Sequence, residues 1–235
     1  IKQDIARMLR KRANRNPEEQ KRGSNGLPSP YGPFQKILYT LGKHRRATLK
    51  YTSSFSLTPA IGGEVGQHVF SINGLYDPDI TGVGTQPFGF DQLMVFYDHY
   101  VVLNSRISCV FTNSDTNDGV IAMAWPEDQS TATILRNVVM NYLPSTSRNQ
   151  VILSPQGGPN TKSLVPPVVN VGRFLSRNPF GDPQLKGGAS SNPTEQAYWH
   201  VGVTGVSDTA QSDVTCIVTI EYDTVFIEPK PPPTS

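Results

Sequence analysis

The sequence predicts an all-β protein: an eight-stranded antiparallel jelly-roll β-sandwich with a basic N-terminal arm and one or two short helices. Glycine and proline number 20 each among 235 residues, and only 37% of residues are hydrophobic. This composition is typical of a loop-rich sandwich. Apolar and polar residues alternate along short segments, and turn residues separate these segments. The connections are too short for helical crossovers, so we expect antiparallel sheets.

Eight runs carry the strand pattern. In the first, Ala47, Leu49 and Tyr51 point to one face while the residues between them are polar. The runs cover residues 46–57, 65–72, 101–113, 119–125, 148–154, 162–171, 197–206 and 213–227. Pro166 and Pro167 lack backbone donors, so run 162–171 is expected at a sheet edge or a bulge. Short helices are predicted at 90–97 and 131–139.

Charge and composition divide the chain into three parts. Residues 1–45 form a basic arm and linker, residues 46–228 the jelly-roll domain, and residues 229–235 a proline-rich tail. Residues 1–46 contain twelve Lys and Arg against three acids, whereas residues 47–235 contain nine against sixteen. The charges are therefore about +9 and −7, which together give the net +2 of the chain. A basic arm on an acidic body predicts that the arm binds a polyanion.

The cations of the arm are the predicted nucleic-acid-binding residues, because Lys and Arg neutralise phosphates and release counterions. They are Lys2, Arg7, Arg10, Lys11, Arg12, Arg15, Lys21, Arg22, Lys43, Arg45 and Arg46. Tyr31, Phe34 and Tyr39 lie among them and can stack on unpaired bases. Part of this set also forms candidate nuclear import signals, namely Arg10, Lys11, Arg12, Lys21 and Arg22, and Lys43, His44, Arg45 and Arg46. The alternative, a solvated charged helix on a tether, leaves the opposite charge of the body unexplained.

The segment GLYDPDITGVGTQPFGFDQ, residues 74–92, is rich in glycine and aspartate but lacks the decisive residue of each ligand-binding motif. Pro87 stands where a dinucleotide fingerprint needs its third glycine. No lysine is present for a phosphate loop, and Phe88 occupies the position of the EF-hand glutamate. The sequence therefore predicts a structural loop rather than a nucleotide or metal site.

This structural loop is predicted to depend on Tyr76, Asp77, Pro78, Gly82, Gly84, Pro87, Gly89, Phe90 and Asp91. Tyr76 and Phe90 are expected to be largely buried against the sandwich or a neighbouring subunit. The Asp77 side chain is expected to fold onto nearby backbone amides. The glycines are expected where a positive φ, or the close approach of another chain, excludes a Cβ. Asp91 is expected to cap the following helix or to lie in its first turn.

No pattern of catalytic residues is present. The histidines at 44, 68, 99 and 200 form no H-x-H or H-E-x-x-H pair, so we expect no enzyme activity, no metal and no cofactor. His99 is interpreted as a structural histidine. Cys109 and Cys216 lie in apolar strand runs and are expected to be buried reduced thiols, although neighbouring strands would also permit a bridge. No apolar run is long enough to cross a bilayer.

Residues 74–107 resemble the capsid proteins of small circular single-stranded DNA viruses that encode a replication initiator, the circovirus-like group. The resemblance is carried in one register by Tyr76, Pro78, Gly82, Gly84, Gln86, Pro87, Gly89, Phe90, Asp91 and Gln92, and continues through LMVFYDHYVVLNSRI. It implies a viral jelly roll whose copies form a small icosahedral shell around single-stranded circular DNA. It also implies location in the virion and, during assembly, in the host nucleus. The arm of that family is usually longer and richer in arginine than residues 1–46.

Two other interpretations remain open at the level of sequence. Capsids of plant-virus-like and satellite RNA viruses share the jelly roll and the basic arm, so a shell around RNA is the first alternative. A lectin-like ligand-binding jelly roll is the second, although it leaves the basic arm unexplained. The host receptor is not predictable. The loop 176–194 is too long for a bare connector and is expected to have a role.

Overall fold

The computed structural model describes residues 42–113, 118–131, 135–143, 148–155, 160–209 and 212–231. The predicted nucleic-acid-binding and import residues from Lys2 to Arg22 lie outside this part of the chain. The described strands are β1 His44–Leu57, β2 Gly66–Ser71, β3 Tyr97–Asn113, β4 Val120–Glu127, β5 Gln150–Leu153, β6 Asn160–Leu164, β7 Val169–Asn170, β8 Tyr198–Gly205 and β9 Val214–Pro229. The helices are α1 Phe90–Met94, α2 Arg136–Tyr142 and α3 Val171–Phe174, with a 3₁₀ helix at Pro183–Leu185.

The strands form two antiparallel sheets with the strand order of a jelly roll. One sheet has the order β1-β9-β3-β6, with β7 also paired to β3, and the other has the order β2-β8-β4-β5. Strands β6 and β7 are the two halves of the predicted run 162–171, separated at Pro166 and Pro167 and placed at the sheet edge as expected. When these halves count as one strand, each sheet has four described strands, and β4 and β5 are the one pair of successive strands that share a sheet. The predicted jelly-roll sandwich is therefore confirmed.

The inner faces of the two sheets form the main core. Strand β1 alternates as predicted, with Leu49 and Tyr51 buried and Lys50 exposed. Aromatic residues fill the centre, and their polar atoms are bonded: the Trp199 indole N–H donates to Ser105 Oγ at 3.0 Å, and the Tyr222 hydroxyl donates to the Ser71 carbonyl at 2.9 Å. Such internal bonds allow large amphipathic side chains to fill a core without unbonded polar atoms.

The outer face of the second sheet carries a smaller core. Met123 and Trp125 of β4 pack there with Val139 and Leu143 of the β4–β5 connection. Helix α2 begins at Arg136, several residues after the predicted start at 131. The packing accounts for this position, because Val139 and Leu143 are the apolar residues that must face the sheet.

The two cysteines are free and buried. They lie on the adjacent strands β3 and β9, where Cys216 pairs in register with Phe111, two residues from Cys109. The hydrogen bond to Cys216, together with burial, raises the pKa of the Cys109 thiol well above its usual value. Within the described ranges, no helix combines the length and the apolar character needed to cross a bilayer.

Candidate assembly and nucleic-acid surfaces

The loop 74–92 leads into helix α1, and the backbone geometry there follows the predictions for glycine. Gly89 at the N-cap has φ 89°, and Gly82 has φ 74°, a region that side chains with a Cβ rarely adopt. Asp91 lies in the first turn of α1, where the helix dipole favours a carboxylate. Phe90 is fully buried and packs edge-on against Tyr100, with ring centroids 5.3 Å apart.

Position 84 requires glycine because neighbouring atoms approach its backbone closely, and not because of its φ angle. A Cβ at this position would lie 2.8 Å from Asp79 Cβ and 2.9 Å from the Tyr51 hydroxyl. Both distances are shorter than a carbon atom tolerates, and Tyr51 is part of the core. Gly84 therefore lets the loop lie directly on the first sheet, which agrees with the predicted role of the glycines.

One prediction for this loop is wrong, and another is not met within the subunit. Tyr76 is 40% exposed, because the preceding Leu75 fills the core position and its N–H donates to the Tyr100 hydroxyl at 2.9 Å. Burial of Tyr76 against a neighbouring subunit stays a prediction. The aspartate that folds onto the backbone is Asp79 rather than Asp77. Asp79 Oδ1 accepts from the Thr81 N–H at 3.0 Å and from the Thr81 hydroxyl at 2.7 Å.

Asp79 is the buried charge of the loop and is held by several donors. Its Oδ2 lies 2.9 Å from His68 Nε2. Burial would raise the pKa of the Asp79 carboxyl, but the hydrogen bonds from Thr81 and His68 outweigh burial and hold the pKa below its usual value. Burial, followed by the charge of Asp79, raises the pKa of Asp77. The Asp79 carboxylate thus has a structural role in holding the loop.

The role expected for loop 176–194 is found in Asn192. Asn192 Oδ1 accepts from the N–H groups of Tyr76 and Asp77 at 3.0 and 3.2 Å and from the Tyr100 hydroxyl at 3.3 Å. Asn192 Nδ2 donates to the Asp77 carbonyl at 2.9 Å. One side chain therefore ties together two loops that are 115 residues apart in sequence. Sequence reasoning missed Asn192, since nothing in the segment SSNPT distinguishes it from a turn residue.

The four described residues of the predicted basic cluster lie at the start of the first sheet. His44, Arg45 and Arg46 open β1, and Lys43 precedes them. Arg46 forms a two-point contact with Asp223 of β9, at 2.7 Å from Nε and 2.5 Å from the terminal nitrogen. This hydrogen bond holds the pKa of Asp223 below its usual value. The structure thus gives Arg46 a partner inside the protein, whereas Lys43 and Arg45 extend into solvent.

Several other charged groups of the domain are paired. Arg106 lies 3.5 Å from Glu221, and Arg177 lies 2.7 Å from Asp182. Glu228 accepts from Lys186 at 2.9 Å and lies 2.8 Å from His99, so His99 has the structural contact expected of it. In the described ranges, no group of three or more His, Cys, Asp or Glu side chains is placed to hold a metal ion.

Several large apolar side chains near α1 are exposed. Phe88 is 91% exposed, Val83 is 85% exposed and Val95 is 66% exposed. The first two belong to the same loop whose backbone is tightly held by Asn192 and Gly84. A well-ordered loop that presents apolar side chains to water is a candidate contact surface.

No protein-family model and no curated protein matches the chain. Solved structures similar to it include a chain of Desmodium yellow mottle tymovirus, 13% identical with a TM-score of 0.34 over 89% of this chain and 97% of that one. A chain of a semi-empty VLP of giant freshwater prawn Macrobrachium rosenbergii nodavirus is 7% identical with a TM-score of 0.42, over 81% and 97%. A chain of an expanded equine rhinitis A virus particle, a picornavirus capsid, is 13% identical with a TM-score of 0.38, over 89% and 84%. These scores are low, so the fold assignment rests on the strand order itself.

Proposed function

We propose that this chain is a viral capsid protein that assembles with copies of itself into a small icosahedral shell and packages single-stranded circular DNA through its basic arm. The observation that carries the proposal is the combination of a jelly-roll strand order with a basic segment that leads directly into the first strand. The choice of circular single-stranded DNA rests on the resemblance of residues 74–107. On this proposal the chain is a structural protein of the virion rather than an enzyme, and the import clusters would direct it to the host nucleus.

The charge distribution supports the proposed role of the arm. Residues 1–46 carry about +9, and the remaining residues carry about −7. A polyanion is attracted by the first segment and repelled by the second, so binding would concentrate on the arm. The aromatic residues Tyr31, Phe34 and Tyr39 would add stacking on unpaired bases, which requires no particular sequence.

The exposed apolar residues beside α1 support self-association. A closed shell requires contacts between different patches of identical subunits, and the cores of such contacts are poor in charge. Phe88 and Val83 lie on loop 74–92, Val95 lies at the C-terminal end of α1, and all three are exposed and uncharged. We propose that this set lies at a contact between subunits.

Electron microscopy of the purified full chain tests the shell directly. Uniform closed particles are expected, and nucleic acid extracted from them should be digested by a nuclease specific for single-stranded DNA. Stable monomers or trimers at high concentration would instead favour the lectin-like alternative. Extracted material that is sensitive only to ribonuclease would show that the shell packages RNA.

The role of the arm is tested by deletion of residues 1–41, which leaves all of β1 in place. The truncated protein should remain folded but should retain little co-purifying nucleic acid. A matched variant with Arg10, Lys11, Arg12, Lys21 and Arg22 replaced by glutamine should show the same loss, together with a shallower salt dependence of binding. Unchanged affinity for single-stranded nucleic acid in both variants would show that the arm is not the binding segment.

The contact surface is tested with Phe88→Ser and its matched control Phe88→Leu. Because Phe88 is 91% exposed in the subunit, neither change should lower the stability of the subunit. Phe88→Ser should prevent particle formation, whereas Phe88→Leu keeps an apolar side chain and should permit it. If Phe88→Ser formed normal particles, Phe88 would not be part of the contact between subunits.

A further inference from the structure

An open hollow lies on the second sheet, between helix α2 and strands β4 and β5. Its volume is about 290 Å³, and it is lined by Ile121, Met140, Gln150, Val151 and Ile152, of which four are apolar. Ile121 and Ile152 are register partners on the two strands. Met140 is 42% exposed and Ile152 is 60% exposed, so the hollow presents apolar surface to water.

The size and the lining of the hollow suit one aromatic ring. A cavity of roughly 150 Å³ with an aliphatic lining holds a benzene molecule, so this hollow has room for a phenylalanine side chain. Among the described residues, Phe88 is the most exposed large apolar side chain, at 91%. Its ring therefore does not occupy the hollow of its own subunit. Aromatic side chains that fill a pocket on a partner supply much of the binding energy of protein interfaces.

The charges beside Phe88 and beside the hollow are of opposite sign. Residues 80–97 contain one charged residue, Asp91, whereas residues 135–153 contain two, Arg136 and Arg148. Arg136 is paired with Asp208. Asp91 and Arg148 are exposed, and neither forms an ion pair with any described residue. Asp91 follows Phe88 by three positions, and Arg148 precedes the lining residue Gln150 by two, so each charge lies at the rim of its apolar surface.

We propose that Phe88 of one subunit inserts into this hollow on a neighbouring subunit, with Asp91 beside Arg148 of that neighbour. The inference rests on the proposed function and names the surface that the exposed apolar residues near α1 contact. A protrusion and a hollow on different surfaces of identical subunits form a heterologous contact, which can close into a ring.

The alternative contact places Phe88 against Phe88 of a second copy around a two-fold axis. That arrangement leaves the hollow open to water. It also brings two Asp91 carboxylates to the same contact, where like charges repel each other. Size and charge therefore both favour the hollow as the partner of Phe88.

The test places the photoreactive residue p-azidophenylalanine at position 88 of the full chain, which keeps an aromatic ring there. Particles are assembled from equal amounts of this protein and of wild-type protein labelled with ¹⁵N, and are then irradiated. Mass spectrometry should find residue 88 joined to ¹⁵N-labelled peptides that contain Met140 or residues 150–152. Crosslinks to labelled peptides within residues 74–96 would instead show the two-fold contact and overturn the inference.

Variants of the hollow test the apolar part of the contact. Ile152→Asp places a charge at an exposed position of the lining and should prevent particle formation, because a charge is unfavourable where an apolar ring must be buried. The matched control Ile152→Val keeps an apolar side chain and should permit it. Thermal unfolding of the unassembled subunits should show that both variants are folded. A folded Ile152→Asp variant that forms normal particles would overturn the inference.

Charge reversal tests the rim. Asp91→Lys and Arg148→Glu should each raise the protein concentration needed for assembly about tenfold, because each variant brings two like charges together. The two changes in one chain restore opposite charges and should return that concentration toward the wild-type value. Failure of the double variant to do so, with both single variants folded, would contradict the pairing of these residues.

The outcome is separate from that of the proposed function. Closed particles that hold nucleic acid, but whose crosslinks from position 88 avoid the hollow, would refute this contact alone. Crosslinks to the hollow within oligomers that never close or package nucleic acid would refute the shell alone.

Discussion

Replacement of Asn192 by alanine should destabilise the subunit more than the same replacement of a loop asparagine whose side chain makes only a local hydrogen bond. The change removes four hydrogen bonds of 2.9–3.3 Å, which link loop 176–194 to Tyr76, Asp77 and Tyr100. Each such bond contributes about 0.5–1.5 kcal/mol net, and water can replace those at the exposed side of Tyr76, so we expect a loss of about 2–4 kcal/mol. For a protein of this size, that loss corresponds to a fall in Tm of about 5–15 °C.

Thermal unfolding of unassembled subunits measures this fall, and Asn178→Ala provides the matched control. Asn178 lies in the same loop, but among the described residues its side chain accepts only a local bond from the Phe180 N–H at 3.1 Å, at the surface. The control should therefore change the Tm by only a few degrees. A Tm for Asn192→Ala within about 1 °C of the wild type would refute the conclusion that this side chain holds the two loops together.

Three further predictions concern buried groups. Gly84→Val should prevent folding or assembly, because the added side chain overlaps Tyr51; a soluble variant that forms particles would contradict this. Cys109 and Cys216, buried and free, should react slowly with a thiol reagent in the native protein, which a timed labelling assay measures. Burial lowers the pKa of His200, so the folded state resists protonation and stability should fall as the pH drops below about 6.5. Urea unfolding between neutral and acid pH should show this decline, and His200→Gln should flatten it.

The strands were predictable from sequence because alternation along a strand follows directly from burial of one face. The alternation of Leu49, Lys50 and Tyr51 needs no knowledge of the rest of the fold. The edge position of run 162–171 was equally predictable from sequence, since the prolines at 166 and 167 have no N–H to donate to a neighbouring strand. The strand order followed from the resemblance and from the number of strands.

The contacts within loop 74–92 were only partly predictable. The need for glycine at 82 and 89 is a local backbone property and was anticipated. The exposure of Tyr76 was not, because it depends on Tyr100 and Asn192, which lie 25 and 116 residues from the loop positions that they contact. Local rules also do not distinguish Asp77 from Asp79. The difference arises because His68 of β2 lies beside the second aspartate.

The electrostatics of the folded domain bear on where a polyanion would bind. Residues 47–235 contain nine Lys and Arg, and four of them, Arg106, Arg136, Arg177 and Lys186, are within ion-pair distance of a carboxylate. Lys230 donates instead to the Met94 carbonyl. The acids of the same region outnumber its cations, so the domain surface as a whole repels phosphates. We therefore expect packaging to depend on the arm, whose last cations, Lys43 and Arg45, are exposed. The slope of log affinity against log salt concentration should become shallower as arm cations are removed, by about 0.7 for each phosphate of a single strand that the arm no longer neutralises.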